Sequence, residues 1–350
     1  MKKILFLLIF LPITLFSQKP QNIILIIGDG MGFAQSSLMS TITGTASIIE
    51  QFPIIGINKT QSASDYVTDS GAGGTAIACG VKTFNGAIGV SSDSTEVKSM
   101  LEIASQKGYV TGIIATSKIN HATPASFTAH DIDRDNYDAI AKDQVNSPVD
   151  LLIGGGEKYF IPLSSQMKQK GFEIKTTKDY NDAAFFKTLA ITYPKIAVFV
   201  ADNDAEQANK GRGDMEPNAT EYALKFLDGK NKGFFIMIEG SQIDWALHNN
   251  DKIYLSAELK DFNKTVGAAL DFAKKKGNTL VIVTADHETG GLSLENIDLS
   301  NGKEKLELGF STLKHTGCWV PVLAFGPGAE NFSGIYHNTD IFTKIIELYK

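Results

Sequence analysis

The amino-acid sequence predicts an α/β fold, a three-layer sandwich around a mostly parallel central sheet. Two observations carry that reading. Apolar runs alternate with amphipathic stretches along the chain, the pattern of strands connected through helices. The apolar runs are continuous rather than alternating, so each strand is expected to be buried on both faces, as in a parallel sheet.

The elements follow in order. Asn22–Ile27 (NIILII) reads as the first strand, and Glu96–Lys107 as a helix leading into a second strand, Val110–Ala115. Asp150–Ile153 is a strand running into Gly154-Gly155-Gly156. Ala197–Val200 is another, followed by a polar segment from Ala201 to Glu216. Phe234–Ile238 and Thr279–Thr284 are strands of the same kind. Val320–Phe325 is a late strand, and Pro321, which cannot donate to a ladder, suggests an edge position. Helices fit Ala219–Leu227, Leu255–Lys276 and Thr339–Leu348. Signals weaken across 156–232, which suggests an inserted subdomain within a single domain spanning 18–350. Residues 1–17 are set apart. Lys2-Lys3, the apolar run Ile4–Phe16 and small Ser17 have the form of a secretory signal peptide. Export to the periplasm or the medium is the expectation, with no membrane anchor.

Composition narrows the function. With 43% hydrophobic residues, 350 residues suffice for a sizeable core. A net charge of −6 without a Lys/Arg cluster argues against nucleic acid as a partner. The two cysteines, Cys79 and Cys318, read as small buried hydrophobes, with their pairing left open. Without a CxxC, no zinc site is built from cysteine.

Function is signalled by where the acids fall. Three apolar runs each end in a carboxylate: NIILIIG before Asp29, FFIMI before Glu239, and TLVIVTA before Asp286-His287-Glu288. In a parallel sheet these positions lie beyond the carboxyl ends of strands, where such folds place ligands. A single acid there is an ordinary turn or cap residue. Several acids together repel, and cations relieve that repulsion. Asp244 and His248 are four apart and share a face if helical, so both could grip one ion. His315 is a further candidate ligand, whereas isolated histidines such as His130 and His337 read as structural. In VTDSGAGGTAIACGVK (67–82), Ser70 precedes a helical stretch, Thr75–Cys79. A serine at a helix start lies in positive potential, although Asp69 or Ser70 as a plain N-cap is the commoner explanation. In HATPASFTAHDIDR (121–134), Thr123 offers a hydroxyl to a hard cation, and Arg134 offers a fork for phosphate oxygens. GRGD (211–214) has the form of an adhesion tripeptide, but its polar, Gly-rich setting reads as a solvated loop.

Taken in order, GDGMG (28–32), VTDSGAGGTA (67–76), HATPA (121–125), EGSQIDWALH (239–248), TADHETGG (284–291) and HTG (315–317) resemble the alkaline phosphatase family over nearly the whole mature chain. That resemblance implies hydrolysis of small-molecule phosphate monoesters through a phosphoserine on Ser70, with two zinc ions and one magnesium ion. It implies Asp29, Asp286 and His287, with Ser70, at one zinc. It implies Asp244, His248 and His315 at the other zinc, and Thr123 and Glu239, shared with Asp29, at magnesium. Arg134 would hold the phosphoryl oxygens. His121 and Trp245 stand where other members carry Asp and Lys. They bear on the metal preference of the third site and on phosphate affinity, with Trp245 at the substrate and His121 behind the ligands. A homodimer is implied by the family alone. The alternatives are a phosphodiesterase or another hydrolase of the superfamily, and a non-enzymatic phosphate- or metal-binding protein. A sulfatase is disfavoured, because Cys/Ser-x-Pro-x-Arg is missing around Ser70.

Overall fold

The computed structural model describes residues 19–44, 47–298, 300 and 305–349, so the expected signal peptide lies outside the described residues. The strands are β1 (Asn22–Gly28), β2 (Ile54–Lys59), β3 (Val110–Lys118), β4 (Leu151–Gly155), β5 (Phe172–Lys175), β6 (Lys195–Ala201) and β7 (Phe234–Gly240). They continue with β8 (Thr279–Thr284), β9 (Glu288–Thr289), β10 (Leu292–Asp298), β11 (Lys305–Phe310), β12 (His315–Thr316), β13 (Val320–Phe325) and β14 (Gly334–His337). Ten of them form one sheet in the order β14-β2-β13-β8-β1-β7-β3-β4-β6-β5. From β8 to β5 every neighbouring pair is parallel. β13 runs against both β2 and β8.

The continuous apolar runs do bury both faces. Ile24 and Ile26 of β1 pack with Leu38 and Met39 of the helix Phe33–Thr43, and with the helices Met215–Asp228 and Lys252–Lys276. Ile23, Leu25 and Ile27 point the other way, toward Ile77, Leu101, Phe127 and Ile341. The result is a helix–sheet–helix sandwich, with alternate residues of each strand serving opposite layers. Among the described residues, no helix is long and apolar enough to cross a membrane. The stretch 156–232 supplies β5 and β6 to the main sheet and the helix Met215–Asp228 to one layer.

Three local expectations change. Val320–Phe325 is internal rather than an edge, but β8 pairs only with Leu323–Phe325. At Pro321 the strand is laddered on the β2 side alone, so the missing N–H is tolerated there. The helix expected from Glu96 begins instead at Met100, because Ser99 and Glu102 form a reciprocal capping box. Cys79 is buried, as expected, but Cys318 is exposed, because it sits on the loop between β12 and β13 rather than in a packed element. Neither is in a disulfide.

Candidate active site

The acids converge because three adjacent strands share a register. Ile27 of β1 lies between Glu239 of β7 and Thr284 of β8. All three strands are parallel, so Glu239, Asp29 just past β1 and Asp286 just past β8 meet at one carboxyl edge. The helix Gln242–His248 follows β7 at once and brings Asp244 and His248 onto one face. The short ribbon β9–β12, with His315 opposite Thr289, brings in the last histidine.

Ser70 comes from another direction. It is the first residue of the helix Ser70–Cys79, which begins five residues before the expected Thr75 because Asp69 caps it, accepting from Ala72 N at 2.9 Å. The small residues of that helix let it enter the crowded edge. A Cβ at Gly73 would lie 3.1 Å from the Asp286 carbonyl oxygen, and one at Gly74 would lie 3.0 Å from Ser126 Oγ. Ser70 is buried, and its Oγ lies 3.2 Å from His287 Nε2. The same nitrogen lies 3.3 Å from Asp29 Oδ1 and 3.3 Å from Asp286 Oδ2.

Among the described residues, three groups are close enough to hold cations: Asp244, His248 and His315; Asp29, Asp244 and His287; and Asp29, His121 and Glu239. Their atoms fit that purpose. Both oxygens of Asp29, Asp286 Oδ2, Glu239 Oε1, Thr123 Oγ1 and His121 Nδ1 are buried without a hydrogen-bond partner. Orphaned buried acceptors are rare in folded proteins, and a ring of them matches the donor set of divalent cations.

Electrostatics agree. Burial and the neighbouring carboxylates of Asp286, Asp244 and Glu239 push Asp29 well above the usual range. Burial pushes Glu239 up to about 8 and Asp286 up to about 7. Asp244 behaves differently. Burial opposes its charge, but the hydrogen bond with His248 and the nearby His287 and His315 pull it well below the usual range. Asp244 Oδ2 lies 3.2 Å from His248 Nε2, and its Oδ1 accepts from Thr289 Oγ1 at 2.6 Å. Burial pushes His287 well down, leaving it neutral, the form that ligates metal.

Arg134 is brought to the same place. Its Nη1 donates to Asp69 Oδ2 at 2.7 Å, immediately beside Ser70. Its Nη2 lies 3.5 Å from His121 Nε2, and the His121 ring meets Trp245 edge-on at 5.9 Å. Packing and the Arg134 cation hold His121 well below the usual histidine range. His130 is structural as expected, bonded to Val97 O and 3.6 Å from Glu102. His337 is the N-cap of the C-terminal helix.

Some contributions are not read from the sequence, among them the second role of Asp69. Asp69 is both the helix cap and the anchor of Arg134. Ser241 Oγ donates to Glu239 Oε2 at 2.6 Å, and Thr289 steadies Asp244. The carbonyls of Thr68 and Leu313 accept from His315 Nδ1 and His248 Nδ1, fixing both rings. Ser241 and Thr289 lie inside the quoted EGSQ and HETGG segments, the one signal that could have found them. Arg212 of GRGD is a correction. It is buried and paired with Glu258 and Asp261, so the tripeptide is not presented to solvent, although Gly211, Gly213 and Asp214 around it are exposed as a solvated loop would be.

Comparison with known proteins gives the family. The family model described as alkaline phosphatase matches residues 20–193 and 194–305. Alkaline phosphatase 4 of Bacillus subtilis (strain 168) is 34% identical over 94% of this chain and 89% of its own length. The alkaline phosphatase of Escherichia coli (strain K12) is 30% identical over 93% of this chain and 85% of its own. The structure of alkaline phosphatase from the Antarctic bacterium TAB5 shares 43% identity with a TM-score of 0.88, covering 95% of this chain and 98% of that one. A His-to-Asp mutant of the TAB5 enzyme, solved with Mg bound in its M3 site, has a TM-score of 0.87 at the same identity and coverage. With a family model spanning most of its length and relatives aligned nearly end to end, this chain belongs to the alkaline phosphatase family, and it is a metal-binding phosphatase of phosphate monoesters.

Proposed function

We propose that Ser70 is the nucleophile and that two zinc ions and one magnesium ion serve it. One zinc is assigned to Asp244, His248 and His315. The other is assigned to Asp29, Asp286 and His287, with Ser70 facing it. Magnesium is assigned to Asp29, Thr123 and Glu239, with His121 behind. When bound, these cations lower the pKa of the oxygens they touch and neutralise phosphoryl charge.

The chain's own residues then do the rest. Arg134, held by Asp69, binds two phosphoryl oxygens and orients phosphorus toward Ser70. Trp245 closes the substrate side. Ser70 Oγ attacks in line; the Oγ–P bond forms, the ester O–P bond breaks, and the alcohol leaves. Water then cleaves the phosphoserine and frees phosphate. The observation that carries this reading is the position of Ser70 Oγ, 3.2 Å from the nitrogen that Asp29 and Asp286 also face. Ser70→Ala should keep the metal content and lose the phosphoenzyme, with turnover falling at least about a thousandfold. Full turnover by that variant would remove Ser70 from the role. The same reading includes export, from the basic start and apolar run of residues 2–17. It includes a homodimer, which light scattering on the purified enzyme would test.

A further inference from the structure

We infer that Glu288 is a positioning residue that holds His287 and His315 at the spacing the two zinc ions need, and that it acts through Thr316. The inference rests on the zinc assignment proposed above.

The two histidines belong to different zinc ions but to one stack. Their ring centroids lie 3.6 Å apart, with the planes 21° from parallel. His287 Nε2 faces Asp29 and Asp286, and His315 Nε2 lies 3.6 Å from Asp244 Oδ1. A slip of one ring past the other therefore moves one cation site relative to the next. The backbone beneath them is a weak guard against such a slip. β9 and β12 pair over two positions, His315 with Thr289 and Thr316 with Glu288. A ladder that short has little stability of its own.

Side chains make up the difference, and alternation along the strands divides them between two faces. Thr289 serves the metal face, where its Oγ1 donates to Asp244 Oδ1 at 2.6 Å. Glu288 serves the other. It is buried, and its carboxylate accepts from Gln35 Nε2 at 2.6 Å, from the backbone N–H groups of Gly291 and Leu292 at 3.3 Å each, and from Thr316 Oγ1. These contacts join three ligand-bearing segments. Gln35 opens the helix that follows Asp29, Glu288 itself follows His287, and Thr316 follows His315. Gly32 of GDGMG makes room for the contact, since a Cβ there would collide with Glu288 Cγ. The oxygens of Glu288 are thus engaged by donors and do not take part in the proposed chemistry. Because each of these partners donates, a glutamine has the right size and the wrong polarity: its NH₂ would set N–H against N–H.

The test uses the full enzyme loaded with Zn²⁺ and set against a graded series of chelator. Glu288→Gln should lose zinc at a chelator concentration about tenfold lower than the wild type does. Thr316→Val, a milder change, should shift retention about fivefold in the same direction, through the loss of one hydrogen bond. Thr316→Ser keeps the hydroxyl and should retain zinc as the wild type does. The double variant of Glu288→Gln with Thr316→Val should lose less than the product of the two shifts, because both act on one contact. Loaded with Co²⁺ instead, Glu288→Gln should show a displaced visible absorption band, which a general loss of stability would not produce. Wild-type zinc retention in Glu288→Gln, or equal retention in Thr316→Val and Thr316→Ser, overturns the inference. Failure of the zinc assignment would show separately, as His315→Ala keeping both zinc ions.

Discussion

The molecule buries two groups of carboxylates and neutralises them differently. At the sheet edge, Asp29, Glu239, Asp244 and Asp286 are buried together, and several of their oxygens have no partner. Between helices Met215–Asp228 and Lys252–Lys276, Glu216, Glu258 and Asp261 are buried around Arg212. There the chain supplies its own cation. Arg212 Nη1 reaches Glu258 Oε1 at 3.3 Å, and Nη2 reaches Asp261 Oδ2 at 2.8 Å and the other oxygen of Glu258. Ala208 N also donates to Glu258, at 2.8 Å. The guanidinium fork engages Glu258 and Asp261 directly and neutralises them without a bound ion. At the sheet edge Arg134 is diverted to Asp69 instead, so the lone pairs stay open. An acid cluster that is to bind metal must be left without an internal cation, and one that only joins helices must not.

Removing metal separates the two most strongly. Chelation should cut phosphate monoester turnover at least about a thousandfold, with recovery on adding Zn²⁺ and Mg²⁺. It should also make stability depend on pH. Glu239 and Asp286 without metal have pKa values pushed up to about 8 and about 7, above the value of about 4 of an unfolded carboxyl. The folded state then holds protons that the unfolded state releases. Stability of the stripped protein should therefore be greatest below about pH 4 as far as these two groups decide it, and decline as pH rises through 7 to 8. Thermal unfolding at pH 6 and pH 9, with and without chelator, reads this directly. A stripped protein equally stable at both would contradict the unneutralised acid cluster.

The second cluster should respond to its arginine rather than to chelator. Arg212→Met leaves Glu258 and Asp261 buried without a cation and should cost about 3–5 kcal/mol. Urea unfolding measures the loss. The protein that remains folded should keep its metal content. Replacing Glu258 by Leu in the same variant should restore part of the stability, because the stranded charge goes with it. A cost below about 1 kcal/mol would show the cluster to be better solvated than its burial indicates.

The two regions also differed in how readable they were. The sheet edge was legible because strands announce themselves by apolar runs, and the acids stand at their ends. The strand ends alone place Asp29, Glu239 and Asp286 together. Asp244 and His248 followed from helical spacing. Arg212 was not legible. A lone arginine between glycines looks solvated, and its partners sit about 50 positions away on the face of a long helix. Glu258 and Asp261 are three apart, which marks one helix face but not what that face meets. Asp69 was visible as a cap, yet its grip on Arg134 depends on a loop that returns 65 residues later. Pro321 misled because a proline can sit inside a sheet where one neighbour strand stops short.

Glu216 gives the finest test of the comparison. It is the third acid of the inner cluster, with Oε1 buried and unpartnered. Burial, and then Asp261, push it well above the usual range, while Arg212 pulls the other way. Arg212 pairs directly with Glu258 and Asp261 and not with Glu216, so burial favours the protonated form at Glu216. Its folded pKa lies above its unfolded value, so its contribution to stability is lost as pH rises from about 4 through the folded pKa. Glu216→Gln keeps the shape and cannot ionise. It should change stability little at pH 5 and reduce the fall in melting temperature between pH 6 and pH 9 by a few degrees. An unaltered pH dependence would mean that Glu216 is already ionised in the folded protein, and that the inner cluster tolerates unneutralised charge much as the metal-free sheet edge must.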